Sequence, residues 1–481
     1  MSPFHRFGVC AGFAILSLEA GCQSSGRHQV STTVVKSPAI SPQAVKPLRA
    51  ANDERESALQ TVAFQADEPA DSISPADSED LFSGVTELPL ELLVSTVTAR
   101  NPSLQAAHAA WSAAAERYPQ AVALDDPMMQ TMFAPATFST GSSTQSSYIL
   151  GVAQRVPWHG KRELRGEMAR WDAAASSWDA NEVQLRLETA ARIAFFDYYL
   201  VHQELSLNQK NLEVTQDFRS TAKTKYEANQ VSEQDLSLAD LELAKLEQEQ
   251  LELTRMQQTA IARINTLVHR RPDYPLPPPP GRLEITDKLP EVDSLREIAL
   301  QERPELAALS AKIQSEQAAV ALACKEYYPD FEFMGRYDSF WTDNVQRPMV
   351  GMNMNIPLNR GRRGAAVREA QFRLVKLIAE HSQQQDLIRE EVQNAYSRVN
   401  ANRKSASLYS GRVLPAAEAN LSTARSAYVA GSVDFLSLMS ARREFITQQI
   451  GYQRTLVEYH RSRAELQRAV GRGLTPFSEE E

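Results

Sequence analysis

Asn355-Ile356-Pro357-Leu358-Asn359-Arg360-Gly361-Arg362-Arg363 answers Gln154-Arg155-Val156-Pro157-Trp158-His159-Gly160-Lys161-Arg162, about two hundred residues earlier. In each copy an extended segment meets a proline, and a glycine followed by two cations opens a long stretch poor in helix breakers. The offset is 200 at Pro157/Pro357 and 201 at Gly160/Gly361. Three further anchors keep the same order: Pro102 and Pro304, Pro127 and Pro329, and Tyr226 and Tyr428, each 202 apart. Five ordered anchors drifting by two residues mark an internal duplication, which sets the architecture of the whole chain.

Each copy reads as the same five parts. A first helix spans 88–124 or 292–327 and is closed by Pro127 or Pro329, which disfavours helix in the residue before it. Two extended segments follow. In the second copy Phe331, Phe333 and Tyr337 alternate with Glu332, Arg336 and Asp338. Val350, Met352, Met354 and Ile356 alternate with Gly351, Asn353 and Asn355. Period two over seven or eight residues is a strand with one apolar and one wet face. The first copy places Met128 to Phe133 and Tyr148 to Val156 in the matching positions, with Ser139 to Ser147 as an exposed hairpin loop. Such segments suit strands of a transmembrane barrel; the alternation on its own fits the edge of a soluble sheet equally well.

A very long helix comes next, 159–226 or 362–428, broken only by Pro415, where a kink is expected. Sixty-seven helical residues reach roughly 100 Å. A turn, Asn229-Gln230-Val231 or Gly431-Ser432-Val433, leads into a returning helix at 232–268 or 433–470, with Ser232 and Asp235 spaced as a capping box. Leu236, Ala239, Leu243, Leu246, Leu253, Ile264 and Leu267 follow heptad a/d positions, interrupted by Gln250 and Gln257. The returning helix and the first helix together match the long one in length, so they should stack end to end beside it. The stretch Pro275-Leu276-Pro277-Pro278-Pro279-Pro280-Gly281 is a stiff link between the copies.

Composition narrows the function. The 481 residues carry 51 Lys+Arg against 60 Asp+Glu, a net charge of −9, which offers nucleic acid no basic surface. Arg6 followed by the apolar run Phe7 to Leu18 is an export signal, too short to span a bilayer. It ends in Ala20-Gly21-Cys22, which looks like a lipobox; Glu19 stands where an aliphatic residue is usual, so lipidation of Cys22 and ordinary cleavage near Ala20 both remain open. Residues 24 to about 85 are rich in Ser, Pro, Ala and Asp and are expected to be a disordered tether. No catalytic or metal-binding motif is present: His159, His202, His269 and His460 are scattered without ligand spacing. Met128, Met129, Met132, Met352 and Met354 could form a soft-metal relay or simply face lipid.

The duplicated plan, the tip pattern Tyr-x-x-Gly/Asn-x-Val at 226 and 428, and the two junction sequences resemble the TolC-like outer-membrane efflux factors, and the first junction with Asp126-Pro127-Met128 looks most like their CzcC/CusC-like heavy-metal branch. The resemblance implies a mainly α fold with a membrane β-barrel. Long α-helical hairpins and four strands per chain would form, in a homotrimer, a 12-stranded barrel and a periplasmic α-helical tunnel. The chain then divides into a signal peptide (1–22), a tether (23–86), a first outer-membrane efflux repeat (87–270), a proline-rich linker (271–291), a second repeat (292–471) and an acidic tail (472–481).

The implied role is a passive outer-membrane conduit without cofactor or enzymatic activity, exporting metal ions or small toxic compounds. Its partners would be a periplasmic adaptor and an inner-membrane transporter of RND or ABC type, in an outer membrane of Gram-negative type. A type I protein-secretion conduit is a second reading; a lipid-anchored periplasmic coiled-coil scaffold is a third, of another class. Adaptor contact and gating would fall to Tyr226, Asn229, Val231, Ser232, Asp235, Tyr428, Gly431, Val433, Asp434 and Leu436, although Asp235 and Asp434 equally fit acids stabilised at helix starts. The lipid face of the barrel would hold Phe331, Phe333, Tyr337, Val350, Met352, Met354 and Ile356. The cations Lys161, Arg162, Arg165, Arg360, Arg362 and Arg363 read either as a membrane-rim anchor or as solvated helix starts.

Overall fold

A computed structural model describes residues 81–82, 84–134, 147–227, 232–285, 289–341 and 343–471. The signal peptide with Cys22, most of the tether, the 139–146 part of the hairpin loop, the tip residues Asn229 and Val231, and the acidic tail lie outside the described residues.

The first copy runs α1 (Leu90–Arg100), α2 (Pro102–Ala115), α3 (Arg117–Val122), β1 (Met128–Ala134), β2 (Ser147–Val156), α4 (Lys161–Glu227) and α5 (Glu233–Leu267). The second runs α6 (Val292–Glu302), α7 (Pro304–Lys325), β3 (Phe331–Asp338), β4 (Pro348–Met354), α8 (Arg360–Leu408), a π turn (Tyr409–Val413), α9 (Leu414–Val429) and α10 (Phe435–Val470). No described helix is long and apolar enough to cross a membrane.

The single first helix expected in each copy is broken instead. Pro102 and Pro304 take the first helical position of α2 and α7, while Asn101 and Arg303 before them are extended. Both break residues then do the same work. The Asn101 amide donates to the carbonyl of Leu267, the last residue of α5, at 2.9 Å. Arg303 donates from Nη1 to the carbonyls of Arg468 and Ala469, at the end of α10, at 3.0 and 3.3 Å. Each returning helix therefore ends against the break of its own copy, as the length argument requires. Arg303 is buried and also pairs with Glu305 at 2.7 Å and Glu391 at 3.0 Å.

The long helix of the first copy is continuous, α4, and packs against α5 along one part of its length and against α2, α3 and α7 along the other. Its counterpart is not: the kink expected at Pro415 becomes a π turn just before it, with the Leu414 N–H bonded to the Tyr409 carbonyl. Pro415 has no N–H to give and would crowd the carbonyl of Gly411 in a regular helix; widening the preceding turn relieves both problems. The heptad seam of α5 buries Ala239, Leu246, Leu253 and Ile264, and its polar break Gln250 accepts from the Asn208 amide of α4 at 2.8 Å.

Two apolar clusters fill the helical part. One joins Leu93, Val97, Phe195, Tyr199 and Ile264 of the first copy; the other joins Leu295, Ile388, Val392, Tyr459 and Leu466 of the second. Phe82, assigned above to the tether, is 3% exposed within the first, under the Arg270 guanidinium at 5.3 Å. The proline link lies against the same copy: the Leu88 N–H donates to the Pro278 carbonyl at 2.8 Å and Tyr198 Oη to the Pro277 carbonyl at 3.1 Å.

The strands form one antiparallel sheet in the order β1-β2-β3-β4. The β2–β3 pairing joins the two copies, and β1 and β4 are its outer edges.

Candidate functional site

The register fixes which side chains share a face. Phe331, Phe333 and Gly335 stand opposite Met354, Met352 and Val350, and opposite Val156, Gln154 and Val152 on the other side. Leu150 pairs with Tyr337, while Thr131 and Met129 pair with Leu150 and Val152. One face of all four strands is therefore apolar and nearly continuous, and it is exposed in the single chain, up to 94% at Val350. The opposite face carries Gln130, Arg155, Glu332, Arg336, Asp338 and Asn353. All the sequence-assigned face residues lie on the apolar side except Ile356, which falls beyond the end of β4 at Met354; that strand is displaced two residues toward Pro348. The methionines are split: Met129, Met352 and Met354 share the apolar face, whereas Met128 and Met132 point the other way.

Beneath the sheet the two copies are locked together by charge. Lys161, the first residue of α4, has no exposed side-chain surface; its ammonium donates to Asp330 Oδ1 at 2.8 Å, to the Tyr328 carbonyl at 3.2 Å and to Glu326 at 3.4 Å. Asp330 also accepts from the Trp158 N–H at 3.0 Å and from Arg155 at 3.3 Å. A buried charge persists only when paired and hydrogen-bonded this completely. The Trp158 ring stacks on Tyr328 at 5.2 Å and on Phe331 at 5.7 Å. Arg162 and Arg363 play equivalent parts, donating to the carbonyls of Val122 and Glu326 at the ends of α3 and α7. These cations close helix ends within the joint rather than standing free in solvent.

At the far end of the long helices lie the two tips. Gly431, at φ +75°, ends α9 in the left-handed conformation, with the Ser432 N–H bonded to the Ala427 carbonyl at 2.9 Å. Asp434 caps α10, accepting from the Ser437 N–H at 3.0 Å; the Ser437 side chain first, and then this N–H, hold its carboxylate below the usual range. The rings of Tyr428 and Phe435 meet at 5.9 Å, and Leu436 is exposed. The first tip differs. The capping box expected of Ser232 and Asp235 does not form: Ser232 makes no side-chain cap bond, and only the Asp235 N–H reaches the Ser232 carbonyl. Tyr226 is exposed there. Among the described residues no group of three His, Cys, Asp or Glu side chains could hold a metal ion.

Spacing gave no sign of two polar groups in the helical part, one buried and one half-buried. His460 stacks on Phe196 at 5.0 Å, its Nε2 has no partner, and burial, then the nearby Arg463, lowers its pKa to about 4. Glu182 is raised by burial and by Glu305, against the pull of Arg468 and Arg303.

The chain thus sets a four-stranded sheet with one apolar face on paired helices about 100 Å long. The model of the family described as outer membrane efflux protein matches residues 295–472. The cobalt-zinc-cadmium resistance protein CzcC of Cupriavidus metallidurans is 22% identical over 389 residues, covering 80% of this chain and 90% of that protein. Solved structures share the fold. The outer-membrane channel OprN matches at TM-score 0.69 and 22% identity over 80% of this chain and 90% of its own. CusC matches at 0.70 and 16% over 80% and 92%. VceC from Vibrio cholerae matches at 0.68 and 18% over 80% and 97%. Over residues 295–472 the chain is similar to the outer membrane efflux protein family, and its fold is that of the solved outer-membrane channels.

Proposed function

We propose that three copies of this chain close a twelve-stranded barrel in the outer membrane and continue it as a helical tunnel through the periplasm. They would serve as the passive exit of a tripartite pump with a periplasmic adaptor and an inner-membrane transporter. One observation carries this reading: the contacts that join the two repeats are each made once where the duplication calls for two. β2 pairs with β3 and α4 packs on α7, but β4 and β1 are edges, and α8 leaves Phe372, Val375 and Ile378 exposed at i, i+3 and i+6. A neighbouring copy supplying β1 and α2 would satisfy both, and a four-stranded sheet cannot close on itself. Closure also satisfies the edge hydrogen bonds that lipid cannot.

The apolar face, Phe331 through Met354, then meets lipid, and the polar face with Arg155, Arg336 and Asp338 lines the lumen. Tyr226, Asn229, Val231, Ser232 and Asp235 at one tip, and Tyr428, Gly431, Val433, Asp434 and Leu436 at the other, take the adaptor and gate the entrance. Acylated Cys22 tethers the mature chain to the outer membrane. Likeness to a cobalt-zinc-cadmium resistance protein supports metal ions or small toxic compounds as cargo. Planar bilayers test the conduit: purified assembly should give ion current that rises when the tip is loosened by substitution. No current in either form would overturn it.

A further inference from the structure

We propose that the joint between sheet and helices holds the headgroup of one phospholipid per chain, of the amine-bearing zwitterionic kind; this rests on the apolar face being the one that meets lipid. A pocket of about 910 Å³ opens where that face ends. Its upper wall is Val156, Phe331 and Phe333, all on the apolar side of the register, and Trp158. Its lower wall is helical. A methyl in place of the Gly166 hydrogen would lie 2.5 Å from Val122 Cγ1, so α3 presses directly onto α4 there and forms the floor with Tyr118.

The polar lining comes from α4 and the loop before it. His159, Glu163, Glu167 and Arg170 recur at intervals of four, four and three and share one side of the helix. Glu163, Glu167 and Arg170 are exposed, without an ion pair or hydrogen bond of their own among the side chains described, apart from Arg170 resting near the Trp171 ring at 5.8 Å. Arg162, at the edge, spends Nε and Nη2 on the Val122 carbonyl and has Nη1 left.

A chain-like apolar wall above two carboxylates flanked by arginines matches an amphiphile carrying both charges. Acyl carbons would lie along Phe331 and Phe333, the phosphate would meet Arg170 and Arg162, and an ammonium would sit between Glu163 and Glu167. A primary ammonium has three N–H donors to share between two carboxylates, which a quaternary choline lacks. An anionic glycerol headgroup would leave both carboxylates facing its phosphate. Trp158, with an apolar body at the same level, is the side chain expected at a membrane–water boundary.

Native mass spectrometry of the assembled full-length protein, released from nanodiscs of phosphatidylethanolamine, phosphatidylglycerol or phosphatidylcholine, tests this, with bilayer conductance measured on the same preparations. The expected result is retention of about one phosphatidylethanolamine per chain, about tenfold above either other lipid, the ratio of a single charge-assisted hydrogen bond. Glu163→Gln with Glu167→Gln should abolish the preference while some lipid remains; Arg170→Gln should lower retention of all three. A conducting assembly that keeps no phospholipid, or whose preference survives the carboxylate change, overturns the site and leaves the channel standing. Pocket side chains shielded by a second copy in lipid-free protein would also overturn it. An assembly that neither inserts nor conducts removes the channel reading, and this one with it.

Discussion

Lys161 shows what one side chain can conceal. In the sequence it is one cation of Gly160-Lys161-Arg162 at a helix start, where solvent exposure is the ordinary expectation. Its partner Asp330 is 169 residues away, so no local spacing could reveal that the pair is buried. Lys161→Ala would leave Asp330 only Arg155 and the Trp158 N–H as partners, and a loss of about 1.5–3 kcal/mol is expected by thermal or denaturant unfolding. Lys161→Met combined with Asp330→Asn should recover much of that, because it removes both charges together. His460 gives a pH dependence of definite sign. Its folded-state pKa of about 4 lies below the ordinary value of 6.5, so the unfolded chain takes up the proton first. Stability should be flat above pH 6.5 and fall between pH 6.5 and 4, by at most about 3 kcal/mol. His460→Phe, which keeps the stack on Phe196, should flatten that slope in melts at pH 7 and pH 4.5; an unchanged slope would place the acid sensitivity elsewhere.

Helices and strands were more legible than their interruptions. The alternation of Phe331, Phe333 and Tyr337 read correctly as a strand because the period of two is local to the sequence, although the apolar face it marks is the exposed one in the single chain. Pro102 and Pro304 were visible as anchors of the repeat, yet the helix breaks they cause depend on Asn101 and Arg303 finding carbonyls at the ends of α5 and α10, contacts with no local signature. The Ser232 capping box failed for the opposite reason: the spacing was right, but the side chain makes no bond to the backbone. The two tips are therefore unequally secured. Gly431→Ala forces a Cβ into a positive-φ position and should cost about 1 kcal/mol, seen as faster amide exchange around 426–436. The same measurement on the unmutated chain should show the start of α5 exchanging faster than the start of α10, whose first turn Asp434 holds.

For the molecule as a whole, two copies of one plan were apparent from five anchors, and the order of elements followed. What a single sequence could not give is how the copies face each other, because β2–β3 and α4–α7 pairings depend on residues far apart in the chain. The proposed closure predicts that Phe372→Glu with Ile378→Glu, on the exposed stripe of α8, yields folded single chains in sedimentation rather than trimers, with helix content retained. A trimer of undiminished stability would show that this stripe is not the seam.

The π turn at Tyr409–Val413 has a counterpart in the numbering. Between Gly160/Gly361 and Tyr226/Tyr428 the offset of the copies grows from 201 to 202, so the second long helix holds one residue more than the first. A turn bonded five residues apart instead of four is how a helix stores one surplus residue without rotating everything beyond it by about 100°. The bulge then takes up the one residue by which the two long helices differ, with Pro415 just beyond it. Deleting Gly411 together with Pro415→Ala should erase it, giving one uninterrupted helix from Arg360 to Val429 and a second copy in step with the first.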